Sequence, residues 1–260
     1  MFERLGRSFE LASASWRVLK NDKSLLVLPL LSGIALAFII IAFALPDLTD
    51  SGEYVLLFLM YLISFFVMTF FNTALAIVVL ARADGHTLSI GQGLREASSK
   101  LPDLLMYSLI SATVGMLLEF VHDRVPILGK IAIRLFGLAW SVATYLAIPV
   151  LAAENVGPGE AIARSVKLLR RCWGESLIGA VGLGTAAVAI TMLVVLSAIG
   201  MMYRFSTLLG LTFGIAGIAA VFWVFSALGV IYRASLYRYA VDGESGPFDE
   251  YLLSGAFHER

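Results

Sequence analysis

The side chains that could do chemistry are uncharged polar groups set inside long apolar runs. Asn72, Thr144 and Thr185 each lie many residues from the nearest charge on one or both sides. In a lipid environment such groups either hydrogen-bond to neighbouring helices or line a polar pathway. The sequence leaves both open, and we treat these three residues as a candidate polar lining.

A second set consists of acidic residues that follow apolar runs. Its members are Asp84, Glu154 and Asp242, each followed by Gly or Asn. If the runs surround a common axis, these acids form a ring at one end. Basic partners would make them structural clamps, and the nearest by sequence are Arg82, Arg164 and Arg238. Without such partners, the ring would attract cations at a pore mouth.

Other chemistries have little support. Glu119, His122 and Asp123 fall on about one helical turn, which fits either an ion site or a wet outer loop. The other two histidines lie in separate regions, whereas zinc sites gather three or four ligands. No nucleophile or phosphate-binding motif occurs, and the single Cys172 cannot form an internal disulfide. We therefore expect no catalytic, cofactor or metal site, and no enzyme.

Composition assigns the chain to a class. Apolar residues make up 59% and charged residues only 15%, against about a quarter in soluble domains. The formal net charge of zero gives no footprint for nucleic acid. No ionisable residue is expected in mid-span, which argues against a proton pump built on buried carboxylates. We also expect no signal peptide, because charges continue through residues 3–23.

Charge-free runs predict six membrane-spanning helices, since a span needs about 20 apolar residues. The third run is the shortest, and it spans only if residues 101–103 and Glu119 lie at the interfaces. The predicted spans are residues 24–46, 54–81, 104–118, 135–153, 176–203 and 205–232.

The basic residues predict the orientation. Six spans place 15 of the 19 Lys and Arg residues on one side, Arg233 among them. Lys and Arg accumulate on the cytoplasmic side. We expect a multi-pass protein of the plasma or inner membrane, with both termini cytoplasmic.

An internal repeat organises the spans. An apolar stripe within residues 2–19 and another within residues 162–173 predict amphipathic interfacial helices, and residues 90–99 form a weaker one. Each precedes two spans, and helix-stop and helix-start residues recur after each pair. The fold class predicted is all-α, as one membrane domain over residues 1–260. It holds three helical hairpins with pseudo-threefold symmetry. The units cover residues 1–84, 89–155 and 157–243, with a tail at 244–260.

Small residues and prolines predict local geometry. Gly210 and Gly214 are four residues apart, as are Gly182 and Ala186, and this spacing lets membrane helices approach closely. Pro149, and likewise Pro29, is expected to kink a helix near its cytoplasmic end.

Two segments carry a family resemblance. Ser15-Trp16-Arg17-Val18-Leu19, continued by Leu28-Pro29-Leu30-Leu31-Ser32-Gly33, resembles the beginning of a prokaryotic six-span membrane protein family of unknown function. Phe248-Asp249-Glu250-Tyr251-Leu252-Leu253, with Ala256-Phe257, is similar to the end of that family. The resemblance implies a membrane fold over nearly the whole chain and assigns no activity or functional residue.

Two functions are compatible with these observations. One is a small pore or carrier built around the repeat. The alternative is a non-catalytic scaffold or adaptor that acts through the amphipathic helices. The expected partners are membrane lipids, with no nucleic acid and with a further copy or another protein as an open possibility.

Overall fold

The structure, a computed structural model, describes residues 15–44, 53–122, 124–171 and 173–242. The described residues form helices and turns without any strand. Residues 15–21 form α1, and a 3₁₀ turn at Lys23–Leu26 leads into the second helix. The remaining helices are α2 (Val27–Ala44), α3 (Glu53–Ala83), α4 (Ile90–Ser99), α5 (Leu101–His122), α6 (Ile127–Ala143), α7 (Ala147–Ala153), α8 (Pro158–Arg171), α9 (Trp173–Arg204) and α10 (Thr207–Asp242).

Within the described residues, six helical stretches are long and apolar enough to cross a membrane, as the sequence predicts. They are Lys23–Phe43, Val55–Ala83, Leu101–His122, Ile127–Ala153, Gly182–Arg204 and Thr207–Val241. The third includes the two interfacial ends that the short run requires. The last stretch has 35 residues, about 52 Å of helix against a hydrocarbon core of about 30 Å. One end of α10 therefore extends beyond the apolar layer.

The fourth stretch is broken between α6 and α7. Residues 144–146 form a turn, and Pro149 has no N–H to donate to the carbonyl of Tyr145. In this turn the Leu146 N–H donates to Ser165 Oγ of α8 at 3.0 Å, and Ser165 is fully buried. The predicted kink at Pro149 is thus a break in the helix. Pro29 is the third residue of α2, where a missing N–H removes no intrahelical bond.

The core lies where α3, α7 and α10 meet. Leu75 and Val78 of α3 are fully buried, as are Val150 of α7 and Ile231 and Leu236 of α10. The apolar residues of the spans away from this core are largely exposed, Phe38 by 74%. In a membrane these faces contact lipid, so the bundle has a small packed core and a large apolar exterior.

Helix ends confirm part of the predicted stop-and-start pattern. Gly85 has φ +77°, the His86 N–H donates to the carbonyl of Ala81, and the Gly85 N–H donates to that of Arg82. These two bonds form a Schellman motif. Ser89 and Gln92 then form the expected capping box of α4.

The second predicted stop has a different geometry. Glu154 ends α7 in extended conformation, and no non-glycine residue in the described ranges has positive φ. The left-handed position predicted at Asn155 is therefore wrong. The break ahead of α7 leaves it only seven residues long, and the chain leaves it extended. The third stop at Gly243 lies outside the described residues.

Glycines set the approach of α9 to α10. A Cβ added to Gly210 would lie 2.6 Å from the carbonyl oxygen of Ala198, and one on Gly214 would lie 3.1 Å from the Ala198 Cβ. This confirms the close packing predicted from the Gly210 and Gly214 spacing. The equivalent prediction for Gly182 is wrong, because no atom of the described residues lies within 4 Å of a Cβ placed there.

The close approach yields a prediction. Gly210→Ala should lower the free energy of unfolding by about 1–3 kcal/mol, because the new methyl group meets the backbone of α9. Gly184→Ala is the matched control, since a Cβ at Gly184 has nothing within 4 Å. Thermal unfolding of the purified protein in detergent measures both. Equal unfolding temperatures for the two variants would contradict this packing.

Candidate functional site

Charged side chains gather at the end of the bundle where α3 and α7 stop. Arg82 of α3 pairs with Asp22, which also caps the 3₁₀ turn before α2 by accepting from the Ser24 N–H. The Arg82 guanidinium also donates to the Leu88 carbonyl at 3.2 Å. These bonds connect the start of α2, the end of α3 and the loop before α4. We call this region the polar end layer.

The predicted ring acids lie in this layer with cationic partners. Asp84 pairs with Arg238 of α10. Glu154 pairs with Arg164 of α8, with 2.6 Å between Arg164 Nε and Glu154 Oε2. Both acids are therefore compensated, which is the arrangement of the clamp alternative. The side chain of the third acid, Asp242, lies outside the described residues.

Glu154 connects several elements in the polar end layer. Besides Arg164, its carboxylate accepts the Tyr237 hydroxyl of α10 at 2.8 Å. Its backbone carbonyl accepts the Lys100 ammonium at 2.9 Å. Burial lowers the pKa of Lys100, against the opposing effects of Asp103 and Glu96. Glu154 thus links α7 to α8, to α10 and to the residue that follows α4.

Deeper in the bundle lies a cavity of about 610 Å³. Its walls come from five of the six apolar stretches, and α2 contributes none. The polar side chains of the lining are Thr69, Asn72, Tyr107, Ser141, Thr144, Tyr145, Thr191, Ser226 and Arg233. Two members of the predicted polar lining, Asn72 and Thr144, therefore face a shared cavity.

The cavity lies in a gap between two helices. In the described residues α6 packs mainly against α5 and α8, whereas α9 packs along α10. Ser141 of α6 and Thr191 of α9 both line the space between them. Phe222 of α10 also lines it and is 63% exposed. The cavity is thus open towards the lipid-facing side of the bundle.

Arg233 brings a positive charge into this cavity. It lies five residues before Arg238, so its Cα is about 7 Å further from the polar end layer along α10. Helical side chains lean towards the helix N-terminus, and Arg233 Nε donates to the Gly229 carbonyl one turn earlier at 2.9 Å. The side chain therefore extends further still from the layer. Its guanidinium carbon lies 6.0 Å from the ring centroid of Tyr145.

The comparison with known proteins gives a family without an activity. A family of unknown function, DUF6159, matches residues 51–248. The chain belongs to this family. No curated protein matches it at a significant level.

The match to DUF6159 contains all the described residues that line the cavity and excludes most of the two segments that carry the resemblance. The N-terminal segment lies before residue 51, and the C-terminal one begins at the last matched residue.

One predicted lining residue is misplaced. Thr185 is exposed and donates to the Gly182 carbonyl of its own helix. It stands two residues from Ala187, which lines the cavity, so the two point about 200° apart around α9. Thr191 is four residues from Ala187, about 40° away after one turn, and it does line the cavity.

The sixth apolar stretch of the structure extends past the predicted span and includes Arg233. The predicted sixth span ends at Tyr232 because the rule stopped each run at its first charge. The helix instead continues through Arg233 to Asp242. Helical periodicity over residues 205–242 places Arg233 on the same helix face as Ser226, seven residues earlier. This periodicity is the sequence signal for the position of Arg233.

The structure describes two of the three residues of the candidate ion site, Glu119 and His122. Glu119 is exposed and lies beside a separate cavity of about 370 Å³, which Tyr61 also lines. His122 is the last residue of α5, and Asp123 lies outside the described residues. Among the described residues no three His, Cys, Asp or Glu side chains could hold a metal together.

The links of Glu154 give a prediction. Glu154→Ala should lower the unfolding temperature more than Arg164→Ala, because it also leaves the Tyr237 hydroxyl without its acceptor. Losing a buried bond to a charged group costs about 1.5–3 kcal/mol, whereas exposed pairs contribute about 0–1 kcal/mol. Glu160→Ala is the control, since Glu160 is exposed in the first turn of α8. Equal effects of all three variants would exclude the clamp.

Proposed function

We propose that this chain is a small carrier or pore in which the cavity between α6 and α9 is the solute site. The observation that carries the proposal is the convergence of neutral polar groups and Arg233 on one cavity. Polar and ionisable groups inside a membrane protein mark substrate or ion pathways. Ligand sites are also typically concave and largely apolar, with a few convergent polar groups.

The internal repeat supports this assignment. In the proposed pseudo-threefold arrangement, the second span of each hairpin contacts the first span of the next. Such contacts are present between α3 and α5 and between α10 and α2. The third equivalent pair would be α6 and α9, and here the cavity replaces packing. We propose that transport uses this unsealed junction.

The proposed orientation places the polar end layer in the cytoplasm of a cell with both termini on that side. The basic residues of α8 support it, since Lys167, Arg170 and Arg171 are exposed. The opposite face of α8 buries Ala161, Ser165 and Leu168 against the bundle. Exposed Lys and Arg next to a plasma membrane interact with anionic headgroups. We propose that α4 and α8 are interfacial helices and that lipids are their partners.

The exposed basic face of α8 also supports the second candidate, a non-catalytic scaffold. In that case α8 would bind a partner protein at the cytoplasmic surface, and the cavity would carry no solute. Both candidates are non-enzymatic proposals.

Flux through the cavity tests the first candidate. In a Cys172→Ser background, Asn72→Cys places a thiol on the cavity wall and Thr185→Cys places one on the exposed face of α9. Proteoliposomes of each variant are assayed, with and without a bulky maleimide, for efflux of potassium, chloride, inorganic phosphate and acetate and for movement of phosphatidylglycerol between the two leaflets.

The carrier or pore predicts movement of at least one of these five solutes that maleimide blocks at residue 72 and leaves unchanged at residue 185. Absence of movement of all five would favour the scaffold. Equal block at both positions would show that the solute does not pass through the cavity.

A further inference from the structure

The cavity between α6 and α9 has an unbalanced charge. Arg233 is its one charged lining residue in the described part of the chain, and no carboxylate accompanies it. By contrast, Arg82, Arg164 and Arg238 each pair with an acid in the polar end layer. A cation held away from water without a counter-ion is costly, so such groups normally pair or serve a function.

The geometry of Arg233 leaves donors available. Among the described residues its hydrogen bonding is limited to the bond from Nε to the Gly229 carbonyl. The two terminal nitrogens, with two N–H groups each, remain for a ligand. A guanidinium presents paired donors that match a carboxylate or a phosphate.

Neutral polar groups face the same space from the other walls. Thr69 is 1% exposed, and its Oγ1 has no hydrogen-bond partner within the described ranges. Asn72 lines the cavity one turn away on α3 and is 8% exposed. Thr69 and Asn72 therefore add neutral hydrogen-bonding groups to the residues that line the cavity.

The rest of the lining is apolar and the gap is lateral. Phe65, Met68, Ile218, Val221 and Phe225 supply most of the remaining wall. Phe222 and Ile218 lie at the lipid-facing side, 63% and 43% exposed. A small hydrated anion would gain little from these surfaces, whereas an alkyl chain would bury apolar area against them.

From these observations we propose that the cavity binds an anionic amphiphile, with its carboxylate or phosphate on Arg233 and its alkyl chain in the gap between α6 and α9. This inference rests on the proposed function, because it names the substrate class of the same cavity. The ligand chemistry is shared by free fatty acids and by anionic phospholipids, so the test includes one of each.

Native mass spectrometry of the purified full chain measures binding without any requirement for flux. The probes are dodecanoate, phosphatidylglycerol, dodecylamine and acetate. We expect a one-to-one adduct with dodecanoate, phosphatidylglycerol or both, and none with dodecylamine or acetate. Arg233→Gln should weaken the adduct by about tenfold or more, the loss expected for a charged hydrogen bond. Arg204→Gln is the control, because Arg204 is exposed and is the last residue of α9.

Thermal unfolding separates ligand binding from a structural role. Without ligand, Arg233→Met should unfold at the same temperature as the parent chain or higher, because a cavity charge without a counter-ion is removed. Dodecanoate or phosphatidylglycerol should raise the unfolding temperature of the parent and of Arg204→Gln, and not that of Arg233→Met. Thr69→Val and Asn72→Ala test the facing wall if Arg233→Met does not fold, and each should weaken the adduct.

Four results would overturn the inference. These are adducts with dodecylamine as strong as those with dodecanoate, adducts insensitive to Arg233→Gln, binding of acetate alone, and a second copy of the chain occupying the gap. Flux of another solute without binding of these anions would reject the inference and retain the carrier. Binding of these anions without any flux would retain the inference and reject the carrier.

Discussion

The carboxylate of Glu154 holds the polar end of this bundle together. Within a bilayer the hydrophobic effect does not drive helices against one another, so polar contacts and close packing must do so. Glu154 accepts from Arg164 of α8 and Tyr237 of α10, while its carbonyl accepts from Lys100. Asp84 adds a pair between α3 and α10. Because these bonds lie at one end, the packing of the rest of the bundle depends on the path that each helix takes away from the polar end layer.

Two helix pairs leave the layer differently. α9 stays with α10 because Gly210 and Gly214 let the backbones approach. α6 ends at the break at residues 144–146, where the Leu146 N–H donates to Ser165 Oγ of α8. The consequence is the gap between α6 and α9, and Arg233 faces it from about one and a half turns beyond the polar layer. The same break that shortens α7 therefore also creates the cavity wall.

Much of the architecture follows from local sequence signals. The six apolar stretches are found because the length of a charge-free run is itself the physical requirement for crossing a membrane. The helix end at Gly85 and the capping box at Ser89 are found because these motifs need only neighbouring residues. Asn72 and Thr144 line one cavity, and both lie deep in apolar runs, where polar groups have few alternatives.

The positions that the sequence does not predict depend on how the helices pack. Thr185 and Thr191 are alike in type and depth, and only the orientation of α9 against its neighbours places one in the cavity and the other on the surface. Ending a run at its first charge places Arg233 outside the sixth predicted span, although the 36-residue α10 continues past it and its long side chain can lie along apolar surface. Pairing of Asp84 with Arg238, across more than 150 positions of sequence, requires the tertiary fold.

The most direct test of this account is a crystal structure of the chain grown from a lipidic mesophase doped with phosphatidylglycerol and dodecanoate. The account predicts α6 and α9 apart, with elongated density between them and its head within about 3 Å of the Arg233 guanidinium. Glu154 should retain Arg164 and Tyr237 as partners. A structure with α6 and α9 packed together and Arg233 paired with a carboxylate of this chain would contradict it.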